Sequence, residues 1–269
     1  MPTTNPEVTQ WIDQMGDADQ VIAYFAYQSL LDLTLRTGAP GHAEAQDMLA
    51  TTLGEALTAP AKESGTGAQP ASFAGNPFLA AVASQTASYR HPPRVRVHLA
   101  RLLGYLPCEV AVPFLKKALE DLEARDMARC SLESNPSEQA TDALVGALTA
   151  VGSTFLTGVV NALAKRKGAN SAAVAQALRG AAEDPQPEVR IAALLALADM
   201  PDSSHDPIIE KAARTGSAAE RRAAHVARAR LAETLRASGD RQGAARIYRA
   251  ILASDAEEPQ KRAARLALA

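Results

Sequence analysis

Three features of this sequence predict an all-α fold of stacked antiparallel helical hairpins. Apolar residues make up 47 % of the chain but aromatic residues only 4 %. The core must therefore be filled by Ala, Leu and Val, which suits close helix–helix packing better than a β-sandwich. Segments with one apolar pattern recur, and the equivalent positions Arg96, Arg125, Leu156, Arg190 and Arg222 stand 29, 31, 34 and 32 residues apart. The stretch DPQPEVRIAALLALADM (184–200) carries a stripe too wide for one neighbour. Ala192, Leu195 and Asp199 fall on one helical line and Ile191, Leu194 and Ala198 on the next. Helices must stack on both of its sides.

In chain order, residues 1–58 read first, as a helical hairpin packed on the solenoid. Asp17 or Asp19 caps a helix over about 19–36, ended by Gly38 and Pro40, and a second runs from about His42 to Thr58. In the first helix Ile22, Phe25, Ala26, Ser29 and Leu33 form one stripe and Tyr24, Tyr27, Leu31 and Leu35 another, which predicts neighbours on two sides. Residues 59–76, APAKESGTGAQPASFAGN, contain thirteen Ala, Pro, Gly, Ser or Thr in eighteen positions and read as a flexible linker, with Phe73 and Phe78 pinning its far end. A helix over about 77–89 stops at His91-Pro92-Pro93.

From Arg94 the repeats begin. RVRVHLARLLGYL (94–106), EARDMARCSLESN (123–135), TFLTGVVNALAKRK (154–167), EVRIAALLALADM (188–200) and ERRAAHVARARLA (220–232) are opening helices, the third without the arginine. The first four are each followed by a turn and a second helix: VAVPFLKKAL, EQATDALVGAL, AAVAQALRGAA and HDPIIEKAAR. Asp184, Val189 and Arg190 form the repeat signature. The acid caps the second helix or accepts from turn N–H groups, and the arginine reaches an acid in the neighbouring layer.

This pattern resembles the HEAT family, particularly the short bacterial HEAT-like repeats, over residues 77–269. The family favours an Asp at the turn and Val-Arg shortly after it, as Asp184, Val189 and Arg190 stand here. The other copies lack the acid at that spacing. The resemblance implies a right-handed α–α superhelix (a HEAT-like solenoid). Residues 226–252 look like a tetratricopeptide hairpin, with Leu231, Leu235, Gly239, Ala244 and Tyr248 at its spacings, although Ile251 stands where that pattern has Ala. EPQKRAARLALA (258–269) starts another opening helix, with Leu266 and Leu268 unpaired within any hairpin. That helix either lies back on the preceding hairpin or packs against a partner or a second copy.

Chemistry-bearing constellations are few. Ser203, Ser204, His205 and Asp206 are adjacent in a turn, whereas a catalytic triad draws its members from separate elements. Asp206-Pro207 reads instead as a helix N-cap followed by Pro. His42, His91, His98, His205 and His225 show no metal-ligand spacing, and Cys108 and Cys130 read as two reduced thiols in helices. No phosphate-binding glycine motif occurs. We therefore expect no catalytic residue, metal or cofactor. The N-terminus lacks the basic and apolar regions of a signal peptide, and VIAYFAY (21–27) is far too short to span a bilayer, so the chain reads as cytoplasmic with no membrane span.

Charge is the remaining signal. The net charge is −2, but residues 1–61 hold eight acids and one base, while 211–249 hold ten bases and three acids. Arg221, Arg222, His225 and Arg228 on one helix, with Arg241, Arg246 and Arg249 on the next, are candidate partner-binding residues. Nucleic acid is the weaker fit, because aromatics do not interleave and the pI is about 6.2. The expected function is a non-catalytic protein–protein scaffold or accessory subunit of a larger complex, acidic at one end and basic at the other. The alternative is implied by the family resemblance alone: some HEAT-like solenoids are bilin lyases and others DNA glycosylases. On that reading a small ligand or cofactor would sit between the 59–76 segment and the repeats.

Overall fold

The computed structural model describes residues 6–61, 84–85, 87–150, 153–166 and 171–269. Most of the segments expected to form the linker (59–76) and the helix over 77–89 lie outside these residues. The chain divides into two compact units, Met1–Gly146 and Ala147–Ala269. Both are all-helical among the described residues; Pro60 and Tyr89 form one isolated bridge.

The first unit contains α1 (Pro6–Gln14), α2 (Gln20–Thr37), α3 (Ala43–Thr58), α4 (Pro93–Gly104), α5 (Ala111–Ala118), α6 (Arg125–Ser134) and most of α7 (Glu138–Ala150). Helix α1 was not expected; it buries Val8 and Ile12, one turn apart, with Met15 just beyond, and packs on α2 and α3. The Asp19 carboxylate accepts from Val21 N at 2.8 Å and caps α2, as the sequence suggested. Gly38 ends α2 where a Cβ would lie 2.4 Å from the Tyr105 carbonyl oxygen.

The expectation that α2 is covered on two sides fails among the described residues. One line, Ala26, Leu30 and Thr34, is buried, and Tyr27 stacks on His98 at 4.3 Å. The other side leaves Val21, Ile22, Tyr24, Phe25 and Leu35 exposed, Phe25 to 63 %. Helix α3 packs on α4 and α5, and Gly54 admits the Phe114 ring. Cys108 is buried in the turn before α5, not in a helix as expected; Cys130 is an exposed thiol on α6.

The second unit contains α8 (Ser153–Lys165), α9 (Ser171–Ala181), α10 (Pro187–Ala198), α11 (Asp206–Thr215), α12 (Ala218–Ser238), α13 (Arg241–Leu252) and α14 (Glu258–Leu268). Helix α10 has α8 and α9 against it on one side and α12 on another, which is why its Ala/Leu stripe is so wide. Val189, Ala193, Leu194 and Leu197 are almost completely buried. Helix α12 starts at a capping box between Ser217 and Glu220 and ends at Gly239, whose φ of 99° is open to glycine at little cost. The tight turn to α13 brings Leu231 and Leu235 against Ala244, Ile247 and Tyr248. Helix α14 lies back on α13 and α12, burying Ala264 and half-burying Leu268, while Leu266 stays 72 % exposed.

Candidate functional site

The repeat arginines are structural fasteners with one recurring geometry. Arg190 on α10 donates Nη1 to the Asp184 carbonyl (2.7 Å) and Nε to Glu220 Oε1 (2.6 Å) in the first turn of α12. Asp184 Oδ1 accepts from Gln186 N at 2.8 Å, closing the turn. Arg96 on α4 does the same: Nη1 reaches the His91 carbonyl, and Nε and Nη2 grip Asp121, four residues ahead of α6 (2.6 and 3.1 Å). Arg222 on α12 donates to Glu257 at the N-cap of α14 (2.9 Å). In each case an opening-helix arginine reaches an acid near the start of a later opening helix, where the helix dipole also favours the negative charge. The Arg190 bond and the Ser217 N–H together hold the Glu220 carboxyl down to about 2.

The seven residues expected to bind a partner do not share one surface. His225 is buried, with Nε2 3.1 Å from Asp255 Oδ1. Arg228 is also buried, because Asp206 on α11 takes its Nε and Nη2 (2.8 and 3.3 Å) and Glu210 lies 3.7 Å away. Asp206 therefore serves as an interhelical partner; it is Asp202 that caps the short turn 203–205, accepting from Ser204 N. Half-buried Arg221 donates to the Gly216 carbonyl. Each of these side chains is drawn inward by a partner from an adjacent element.

Arg222 is exposed but paired with Glu257, and what remains outside without such a partner is on α13. Arg241, Arg246 and Arg249 are exposed; Arg246 and Arg249 lie on the side of α13 opposite the buried Ala244, Ile247, Tyr248 and Ile251, and Arg241 stands in its first turn. Of the ten bases in 211–249, five are in ion pairs: Lys211, Arg222, Arg228, Arg230 and Arg236. The three arginines of α13 are in none, among the described residues.

The Ser203–Asp206 run is similarly accounted for. His205 is fully buried with Nδ1 3.0 Å from the Leu197 carbonyl, and burial pushes its pKa down. Ser204 receives a bond from Arg179. Tyr248 donates to Glu233 (2.8 Å), and burial followed by that carboxylate pushes the phenol up to about 12. A polar cavity of about 200 Å³ lies beside His225, lined by Arg221, Arg222, Asp255, Glu257 and Gln260. Arg222 and Glu257 already face one another there as an ion pair, and His225 Nε2 is taken up by Asp255 Oδ1. No group of metal-ligating side chains occurs among the described residues, and no described helix is long and apolar enough to cross a membrane.

An all-helical protein of stacked hairpins is the class these observations define. No family model matches the chain, and no curated protein does. Among the solved structures that align with it are two helical proteins. The complex of CpcE and CpcF of phycocyanin lyase from Nostoc sp. PCC7120 aligns at 19 % identity and TM-score 0.38, covering 100 % of this chain and 89 % of that one. Human deoxyhypusine hydroxylase in complex with glycerol aligns at 17 % identity and TM-score 0.41, covering 84 % and 96 %. At these values the likeness carries no argument.

Proposed function

We propose that this chain is a non-catalytic docking protein that binds an acidic surface of another protein, as a cytoplasmic accessory subunit. The observation that carries the reading is the arginine face of α13. Its neighbours Arg222, Arg228, Arg230 and Arg236 all have carboxylate partners within the chain, whereas Arg241, Arg246 and Arg249 have none among the described residues and point to solvent. Such a face steers an oppositely charged partner and weakens with salt. The tetratricopeptide-like hairpin 226–252 within bacterial HEAT-like repeats is the scaffold on which the face is carried. A lyase-like or ligand-handling role ranks second. It would place a small ligand between the 59–76 segment and the repeats, and most of that segment lies outside the described residues.

The test is affinity capture from native lysate by wild type and by the triple variant Arg241→Glu, Arg246→Glu, Arg249→Glu. At least one protein is expected with wild type, absent with the triple variant, and released at about 0.5 M salt. A control with Arg230→Gln and Arg236→Gln retains it. Identical captured sets from wild type and triple variant refute the assignment.

A further inference from the structure

The acidic first unit contains an apolar groove that the proposed arginine face does not use. Val8 of α1, Leu33 of α2 and Ala45, Met48, Leu49 and Thr52 of α3 line a depression of about 170 Å³. That exceeds the ~150 Å³ cavity that accepts a benzene ring, so it has room for one aliphatic side chain. Along its edge runs an acidic ridge. Glu44, Asp47 and Glu55 share the solvent side of α3 with Met48, which is 46 % exposed. All three acids are exposed and in no ion pair among the described residues.

Helix α14 carries the complementary set. Its inward side buries Ala264 and half-buries Leu268, and its outward side presents Leu266 one turn after Arg262. Leu266 is 72 % exposed, the largest exposure of any large apolar side chain among the described residues. Arg262 is exposed and in no ion pair among them. An apolar knob beside a cation faces outward on one unit, and an apolar hole beside three carboxylates faces outward on the other.

We propose that the groove is occupied by a second copy of this chain: Leu266 of one copy enters the Val8–Leu33–Met48 groove of the next, with Arg262 against Glu44 and Asp47. Both halves of the contact are on this sequence, and their charges are opposite, which is why a second copy is the favoured occupant. The contact is heterologous, since the two faces differ, and each copy offers one knob and one hole. It does not depend on the α13 arginines, so it stands or falls apart from the docking role.

Light scattering and sedimentation velocity on the full chain test it. Wild type is expected to gain mass with concentration up to about 0.2 mM in about 0.05 M salt and to lose most of that gain in about 0.5 M salt. Leu266→Glu, at an exposed position, abolishes association while leaving the thermal transition in place. Glu44→Lys with Asp47→Lys does the same from the groove side. Mixing these two defective forms restores a one-to-one dimer and nothing larger, because one intact groove and one intact helix remain. Truncating Leu266 to Ala weakens association about tenfold or more. A wild type that stays monomeric overturns the proposal. Unaltered association of Leu266→Glu, or a mixture that fails to dimerise, overturns it equally.

Discussion

Removing Asp121 is the sharpest test of the fastener geometry. Arg96 and Asp121 are each 1 % exposed at the side chain, deeper on both sides than Arg228 and Asp206 at 3 % and 11 %. Asp121 Oδ2 takes Arg96 Nε at 2.6 Å, and Oδ1 takes Nη2 at 3.1 Å and Glu123 N at 3.0 Å. In Asp121→Ala the guanidinium keeps the His91 carbonyl and the Tyr89 ring face, 4.3 Å from its centre. Those neutral partners cannot offset a desolvated charge, and breaking one side of a buried pair costs about 3–5 kcal/mol. For a unit of this size that is a fall of roughly 10 °C in the midpoint. The single tryptophan, Trp11, lies on α1 in the same unit, so its fluorescence during urea unfolding reports the affected part. Arg96→Met with Asp121→Leu removes both charges and should recover most of the loss, to within about 1–2 kcal/mol of wild type. A single-variant loss under about 1 kcal/mol, or a double variant as weak as the single, would refute the argument.

Other contacts set three further outcomes. Glu220, ordinarily near 4.5, is held to about 2 in the fold. Its contribution is therefore complete above the ordinary carboxylate range and lost as pH falls from about 4.5 through about 2. Glu220→Gln should cost about 3 kcal/mol at neutral pH, with the gap to wild type closing in acid; circular-dichroism melts showing a constant gap would contradict this. Gly54→Ala places a Cβ 2.2 Å from the Phe114 ring, and should cost about 1–3 kcal/mol; Phe114→Leu should relieve part of it in a combined-variant melt. Arg222→Ala breaks an exposed pair and should shift stability by under about 1 kcal/mol. Arg228→Ala, which leaves Asp206 buried without its partner, should cost severalfold more by the same urea titration.

Much of the fold was legible because burial in stacked helices leaves a period. The opening and second helices from 94 onward fall where the apolar pattern puts them, and the width of the α10 stripe announced neighbours on both sides. The turn role of Asp184 and the outward reach of Arg190 were also readable. Helix α1 was not, since nine residues burying only Val8 and Ile12 give a single one-turn spacing and no period. Nor could α2 reveal that Val21, Tyr24 and Phe25 lie exposed among the described residues. An apolar stripe states what a helix can bury, and a neighbour must arrive before it does.

The candidate site was the least legible part, and the reason is electrostatic. A window over 211–249 counts bases against acids that are close in sequence, but four of the five ion-paired bases there find their acid outside the window: Glu183, Asp199, Asp206 and Glu257. In a stack, the acid opposite an arginine belongs to another layer. The three fasteners bridge 25, 30 and 35 residues, so no fixed offset exposes them. The apparent excess of charge is thus largely an internal lattice of pairs cut through by the window. Within that window α13 alone carries three exposed arginines that are in no such pair among the described residues, Arg246 and Arg249 of them opposite Ala244, Ile247, Tyr248 and Ile251. A functional charge in a repeat protein is one the stack leaves unmatched, and only the packed layers show which that is.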